Sequence, residues 1–283
     1  SVKSLVRTPL CVNASSLYKA ALFPYILCMN PQTLYSIIKF GFLFIGAVIF
    51  AALFFITAPY GRYSRGGWGP EINNRLGWTV MEAVSPIGFV LLFLVGNWKS
   101  GPLPYVFLGL WLFHYVYRSF IFPGLMPSRN NMPISVVLFA VLFNGFNSYL
   151  QGGYLYIFSP GSEKYGISWL GTPQFLIGGA LFFIGFVIHA RSDYILRNLR
   201  QPGETGYKIP TGVFFLWLSA PNYFGEMVEW IGWAVLTWSL PGLVFALWTI
   251  FNLLPRAVSH HKWYRETFDE YPEDRKAIIP GLF

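Results

Sequence analysis

Eight charged side chains crowd into one short run of an otherwise apolar chain. Between residues 189 and 232, HARSDYILRNLRQPGETGYKIPTGVFFLWLSAPNYFGEMVEWIG, stand four Lys/Arg and four Asp/Glu, although charged residues make up only 11% of the sequence. Asp193, Arg197 and Arg200 are spaced i, i+4, i+7, which on a helix puts one acid and two bases on one face. Arginine's planar fork suits bidentate contacts to phosphate; the plainer reading is a solvated face held by i, i+4 pairing. Asn222, Glu226 and Glu229 repeat the spacing inside a hydrophobic run. A carboxylate in lipid is costly and usually has a partner or faces a wet cavity. Two acids and an amide on one stripe, beside an arginine cluster, therefore read as a pocket for a large polar ligand.

Other polar residues stand alone in apolar surroundings. Glu82 is the only charge in LGWTVMEAVSPIGFV, and Trp78 lies one turn earlier on the same face as a flat apolar wall. His114-Tyr115-Val116-Tyr117-Arg118 closes another apolar run, where a tyrosine on its own reads as an interfacial anchor. Asn147, in NSYLQGGY, sits mid-run, where a lone asparagine often serves as a hydrogen bonder between helices. Arg256, His260 and Tyr264 recur at i, i+4, i+8 on one face. The His260-His261 pair invites a zinc reading, yet no third ligand follows at suitable spacing, and no metal is expected.

The elements that must position these residues are membrane helices. With 54% hydrophobic and 20% aromatic residues in 283, the chain is far too apolar for an ordinary soluble domain. Windows long enough to cross a bilayer fall near 36–58, 76–96, 102–122, 132–157, 171–190, 219–237 and 239–255. The last two are separated at Trp238-Ser239-Leu240-Pro241, because a proline restricts the residue before it. Seven spans also sort the charge. Lys3, Arg7, Lys19, Lys39, Lys99 and Lys164 fall on the side of the N-terminus, and the other fourteen basic residues on the opposite side. By the positive-inside rule that second side, with the C-terminus, is cytoplasmic. The net charge of +8 thus marks loops rather than a nucleic-acid surface.

Residues 1–34 read as an extension, with an interfacial helix as one option, and 35–283 as the membrane domain. Asn13-Ala14-Ser15 is a chance-level sequon, and Cys11 and Cys28 read as plain thiols. No GxGxxG or GxxxxGK[ST] follows a strand pattern, so any nucleotide must sit among helices and loops.

Longer motifs carry a resemblance. The string SDYILRxLRxPGExxYxIP, then NxxGExxEWxG and TWSLP, then RAxxHHxxYxxxFxxYPxxRKAxIP from Arg256 to Pro280, closely resembles the steroid 5α-reductase family. The likeness is densest from residue 189 onward and extends more loosely back to about residue 60. It implies an NADPH-dependent membrane reductase acting on the conjugated C4=C5 bond of 3-oxo-Δ4 steroids, with seven helices around one cavity for cofactor and substrate. Glu82 matches the family's ketone-binding glutamate, Tyr115 in HYxxR the tyrosine that joins it, and Trp78 an aromatic lining the steroid pocket. Arg118, Asn147, Asp193, Arg197, Arg200, Tyr207, Asn222, Glu226, Arg256, His260 and Tyr264 match positions around the cofactor. Met81 stands where many members carry glutamine, which removes a polar contact to the substrate, and the loop PSRNN has Arg129 as its only base.

A carboxyl group kept protonated by an apolar site can donate a hydrogen bond to a developing enolate, so burial of Glu82 would serve the chemistry. On this reading a solvent-derived proton completes the saturated ketone. The resemblance further implies a monomer without an obligate protein partner, in the endoplasmic reticulum membrane of a eukaryote or the inner membrane of a bacterium. A reductase of another lipid enone or enoyl substrate is one alternative, and two from other classes are weaker. An isoprenylcysteine-type methyltransferase does not ask for the acid-rich stripe or for Glu82, and a proton-coupled transporter fits poorly with the lack of an internal repeat.

Overall fold

A computed structural model describes residues 29–57, 59, 61–63, 65–126, 131–159, 161–201, 204 and 206–281. The sequon, both cysteines and Arg129 lie outside the described residues, as does most of the extension over 1–34. Among the described residues the apolar windows become α1 (Pro31–Leu53), α2 (Asn74–Val95), α3 (Leu103–Leu125), α4 (Ile134–Phe158), α5 (Pro173–Arg197), α6 (Pro221–Thr237) and α7 (Leu240–Thr267). All but α6 are long and apolar enough to cross a bilayer, which makes this an all-α, multi-pass membrane protein. At 17 residues α6 is shorter than the ~20 a bilayer core asks for, and we keep it as the proposed seventh span. The chain divides into two units inside α1, between Phe42 and Leu43. In the first, Asn30 Oδ1 accepts from the Gln32 N–H and opens the helix. The candidate site lies wholly in the second.

A small antiparallel ribbon, which the sequence patterns do not announce, starts two helices side by side. Strand β1 (Glu71–Asn73) pairs with β2 (Asn131–Pro133) in the register Glu71↔Pro133, Ile72↔Met132, Asn73↔Asn131. Each strand runs straight into a helix, α2 and α4 respectively. The Asn73 side chain caps α2 by accepting from the Arg75 and Leu76 N–H groups. Further along, Asn144 Nδ2 of α4 donates to the Met81 carbonyl of α2 at 2.8 Å, and Ser148 Oγ donates to the Ser85 carbonyl at 3.1 Å. These bonds hold the two helices in register next to Glu82.

Helices α5 and α6 pack backbone to backbone. Gly178 and Gly185 on α5, and Gly225 and Gly232 on α6, are each spaced by seven and face one another in antiparallel order. A Cβ on any of them would overlap backbone atoms of the opposite helix: Leu236 for Gly178, Glu229 for Gly185, His189 for Gly225 and Phe182 for Gly232. Small residues let membrane helices approach in this way, and here the approach brings His189 and Asp193 against Glu229 and Asn222.

The expected break between the last two helices falls where the proline placed it. Trp238 is left-handed (φ 44°), Ser239 is the N-cap of α7 with its Oγ accepting from the Gly242 N–H, and Pro241 sits in the first turn. The last carbonyls of α6 are satisfied by side chains. Trp169 Nε1 donates to Leu236 O, the Tyr165 hydroxyl to Thr237 O, and Lys164 Nζ to Trp238 O at 2.8 Å. By contrast α7 outruns its expected end at 255 and continues to Thr267.

An aromatic core fills the space among α2, α3, α6 and α7. Phe89 stacks on Trp111 at 4.6 Å, Trp111 meets Trp230 and Trp233, and Trp230 lies 4.3 Å from Phe245. The indole N–H groups that this buries find acceptors, Ser85 O for Trp111 and Gln151 Oε1 for Trp233. The tail folds back on the segment before α6: Ser219 N–H donates to Lys276 O and Lys276 N–H to Trp217 O, both at 2.8 Å. Ile278 is buried with Met227, Leu253 and Ala257. The tail thereby locks the N-terminal end of α6 against α7.

Candidate active site

Trp78, Glu82, Tyr115, Arg118, Glu226 and Arg256 line one cavity of about 140 Å3, together with Met81, His114, Asn144, Trp230 and Phe245. Five helices contribute: α2, α3, α4, α6 and α7. Arg118 is its electrostatic centre. It projects from the π-helical stretch Tyr117–Ile121 of α3, where the backbone widens to i→i+5 bonding. Its Nε lies 4.0 Å from Glu82 Oε1, Nη1 3.9 Å from Asp193 Oδ2 and Nη2 3.8 Å from Glu226 Oε2. One guanidinium thus faces carboxylates from α2, α5 and α6, all at the outer limit of ion pairing. Its flat face rests on Trp78 at 4.7 Å and Phe122 at 5.0 Å.

Behind the cavity runs a ladder of buried acids and imidazoles. His114 Nδ1 donates to Glu229 Oε1 at 2.7 Å. His189 lies between two carboxylates, with Nδ1 3.6 Å from Glu229 Oε2 and Nε2 3.1 Å from Asp193 Oδ2. Neither contact has hydrogen-bond alignment. Asn222 Nδ2 donates to Asp193 Oδ1 at 3.2 Å. The three residues of the i, i+4, i+7 stripe on α6 each meet a polar partner: Asn222 meets Asp193, Glu226 meets Arg118 and Glu229 meets the histidines.

A second cluster lies toward the end of α7. Arg256 Nη2 donates to the Tyr223 hydroxyl at 2.9 Å, and His260 bridges the hydroxyls of Tyr223 (Nε2, 3.1 Å) and Tyr63 (Nδ1, 3.2 Å). The Tyr63 ring stacks on His260 at 5.4 Å, and burial pushes its phenol up to about 12, so it stays protonated. Arg62 Nη2 donates to the Tyr264 hydroxyl at 3.0 Å, while its guanidinium lies over Trp263, Tyr264 and Tyr207. The i, i+4, i+8 residues Arg256, His260 and Tyr264 thus do act on one side of one helix. Arg62 and Tyr63 join them from the YGRYSRGGWG loop after α1. Their only signal in the sequence is that aromatic, glycine-rich loop with two arginines.

The remaining expected residues spread out. Asn147 is fully buried in α4 but is not among the residues that line the cavity; its Oδ1 accepts from Gln151, and its Nδ2 has no well-aligned acceptor among the described residues. Arg197 occupies the last turn of α5, and its buried Nη1 has no well-aligned acceptor among the described residues. Arg200 does not share that face, because α5 ends at Arg197 ahead of the Pro202-Gly203 pair. It is exposed and donates to the Gly206 carbonyl at 3.3 Å. The single-face reading of Asp193, Arg197 and Arg200 is thereby corrected. Tyr207 is half exposed, edge-on to Trp263 at 5.1 Å. The imidazole–carboxylate grouping with metal-like spacing among the described residues is His114, His189 and Glu229, within 4.8 Å of one another, and not His260-His261.

The arrangement defines a membrane-embedded site with hydrogen-bond donors and a cation at its centre, walled by aromatics. The family model for 3-oxo-5-alpha-steroid 4-dehydrogenase matches residues 130–283. The chain is 42% identical over 247 residues to 3-oxo-5-alpha-steroid 4-dehydrogenase 1 of Bos taurus, covering 84% of this chain and 93% of that protein. It is 45% identical over 241 residues to the Rattus norvegicus protein of the same name, covering 84% and 91%. Against steroid 5-alpha-reductase DET2 of Gossypium hirsutum it is 39% identical over 260 residues, covering 90% and 99%. This chain belongs to the steroid 5α-reductase family.

Proposed function

We propose that this chain is an NADPH-dependent reductase that saturates the C4=C5 bond of a 3-oxo-Δ4 steroid inside the membrane. The observation that carries the reading is the convergence of Glu82 and Tyr115 on one cavity whose lining includes Trp78 and Arg118. The names of the relatives point to the same substrate class and to an oxidoreductase acting on a carbon–carbon bond.

The chain's own residues suit the cofactor. Buried Arg62 Nη1, Arg197 Nη1 and Asn147 Nδ2 have no well-aligned acceptor among the described residues, and phosphate oxygens and a carboxamide are the acceptors such donors take. Arg197, Arg200, Arg256, His260 and Tyr264, now with Arg62, would hold the phosphates and adenosine end. Asn147, Asp193, Asn222, Glu226 and Arg118 would hold the ribose and nicotinamide end. Tyr207 would close the outer edge. When bound, the cofactor supplies a hydride.

Glu82 and Tyr115 carry out the protein's part of that step. Both donate to the 3-ketone oxygen, and both strengthen their bonds as negative charge develops there, which is oxyanion-type stabilisation in a water-poor site. Trp78 orients the flat ring system, and Met81 leaves the carbonyl end with one polar neighbour fewer. Small-molecule sites usually run ~300–1,000 Å3, so a cavity of about 140 Å3 requires its lining side chains to move outward on binding.

The test is NADPH binding to the purified protein followed by incubation with testosterone- or progesterone-like enones. Binding without reduction of any enone would remove the steroid reading, and no binding would remove both.

A further inference from the structure

Glu229 is fully buried, and among the described residues no lysine or arginine reaches it. The ionisable side chains in contact with it are the imidazoles of His114 at 2.7 Å and His189 at 3.6 Å. Arg118 does not serve it, being shared by Glu82, Asp193 and Glu226. A carboxylate buried among apolar groups needs a cation in contact, and the shortest contact available is the His114 Nδ1–H. That bond leaves Nε2 as the second ring nitrogen of a side chain that also lines the cavity. Trp230, edge-on to the imidazole at 4.5 Å, fixes the ring plane.

We infer that His114 is the proton donor that completes the reduction, with Glu229 as its positioning residue. The inference rests on the enone-reductase reading above. Hydride addition at C5 moves the C4=C5 electron pair toward C3 and leaves an enolate, whose oxygen Glu82 and Tyr115 hold. The His114 Nε2–H bond then breaks, a C–H bond forms at C4, and the enolate electrons restore the C3 carbonyl. NADPH is oxidised, the enone is reduced, and His114 is left neutral with Nδ1–H still on Glu229. Water entering as product leaves returns the proton to Nε2. His189 lies 3.6 Å from Glu229 on the far side, so Glu229 gives His114 a fixed orientation, the arrangement a general acid requires.

Two measurements on the full-length protein in lipid nanodiscs decide it. In the resting protein, the histidine 15N resonances lost in His114→Gln should belong to a ring that carries a proton on Nε2 as well as on Nδ1; a His114 without the Nε2 proton overturns the inference. This result does not depend on any substrate. In turnover, His114→Gln should bind NADPH normally and lose roughly 10²–10⁴-fold in kcat, the range for a general acid. Its solvent isotope effect should rise while the effect of 4-deuterated NADPH falls, because proton transfer becomes limiting. Glu229→Gln should move the isotope effects the same way by less. Lower turnover with unchanged isotope effects would make His114 structural and overturn the inference. So would stoichiometric zinc in the purified protein, since a metal would then supply the charge beside Glu229. Wild-type protein that reduces no enone would instead sink the parent reading, with the resonance result still standing on its own.

Discussion

Gly185 of α5 lies against the backbone of Glu229 of α6 with no room for a Cβ between them. The contact sets how far His189, one turn on, stands from Glu229, and hence the geometry of the whole ladder behind the cavity. Gly185→Ala should destabilise the protein by about 1–3 kcal/mol, the cost of overpacking a tight interface. Thermal unfolding in detergent reads this directly. The control Gly179→Ala, on the open face of the same helix where a Cβ meets nothing, should leave the transition in place.

Arg118 faces the carboxyl groups of Glu82, Asp193 and Glu226, so its loss should be felt in folding before chemistry. Removing one partner of a buried ion network costs about 3–5 kcal/mol, and Arg118→Met should approach that in chemical unfolding. Adding Glu226→Gln to Arg118→Met should recover part of the loss, because one orphaned charge goes with it. Additive losses would show that Arg118 and Glu226, 3.8 Å apart, are not coupled.

For the cofactor, the structure separates two arginines that the spacing had joined. Arg197→Ala should weaken NADPH binding by about 1.5–3 kcal/mol, the value of a charge-assisted hydrogen bond. Arg62→Ala should do the same, since its Nη1 is likewise buried without a well-aligned acceptor among the described residues. Arg200→Ala should cost less, because Arg200 is exposed and already bonded to Gly206 O. Calorimetric titration with NADPH ranks the three. An Arg200 effect larger than that of Arg197 would reverse the assignment.

The sequence disclosed the helices and much of the site because both are local. Apolar runs announce membrane helices, and the stripe Asn222, Glu226, Glu229 needs only helical periodicity to be read as one face. The proline after Trp238-Ser239 marked the break for the same reason. What stayed hidden depends on distant pairing. Three residues at Glu71–Asn73 and three at Asn131–Pro133 carry too little pattern to announce a ribbon. Arg62 finds Tyr264 across 202 positions, and His114 finds Glu229 across 115. Asp193, Arg197 and Arg200 were misjoined because the i+7 rule assumes a helix that in fact stops at Arg197.

Orientation follows from charge. With seven spans, the split of six basic residues on one side and fourteen on the other leads us to propose that the tail and the 191–208 loop are cytoplasmic. An impermeant thiol reagent applied to intact cells should label a cysteine at position 163 and spare one at 270. The opposite pattern would invert the topology.

The catalytic prediction concerns Glu82. It lines the cavity with Tyr115, one helical turn from Trp78, and lies 4.0 Å from Arg118. Glutamine at this position keeps a hydrogen-bond donor of nearly the same shape, and alanine removes it. If Glu82 donates to the enolate oxygen, Glu82→Ala should lose about 2.7–4 kcal/mol of barrier lowering, the scale for one oxyanion donor. Glu82→Gln should keep part of the turnover, because the amide N–H can still reach the ketone oxygen. Both variants should bind NADPH, since the proposed cofactor contacts lie on other helices. Arg118 would face two carboxyl groups instead of three in either variant, so the loss of that contact is common to both and cancels in their comparison. The difference between glutamine and alanine therefore isolates the donor. Equal activity in the two would assign Glu82 a charge-balancing role beside Arg118, and full activity in the alanine variant would take it out of the chemistry.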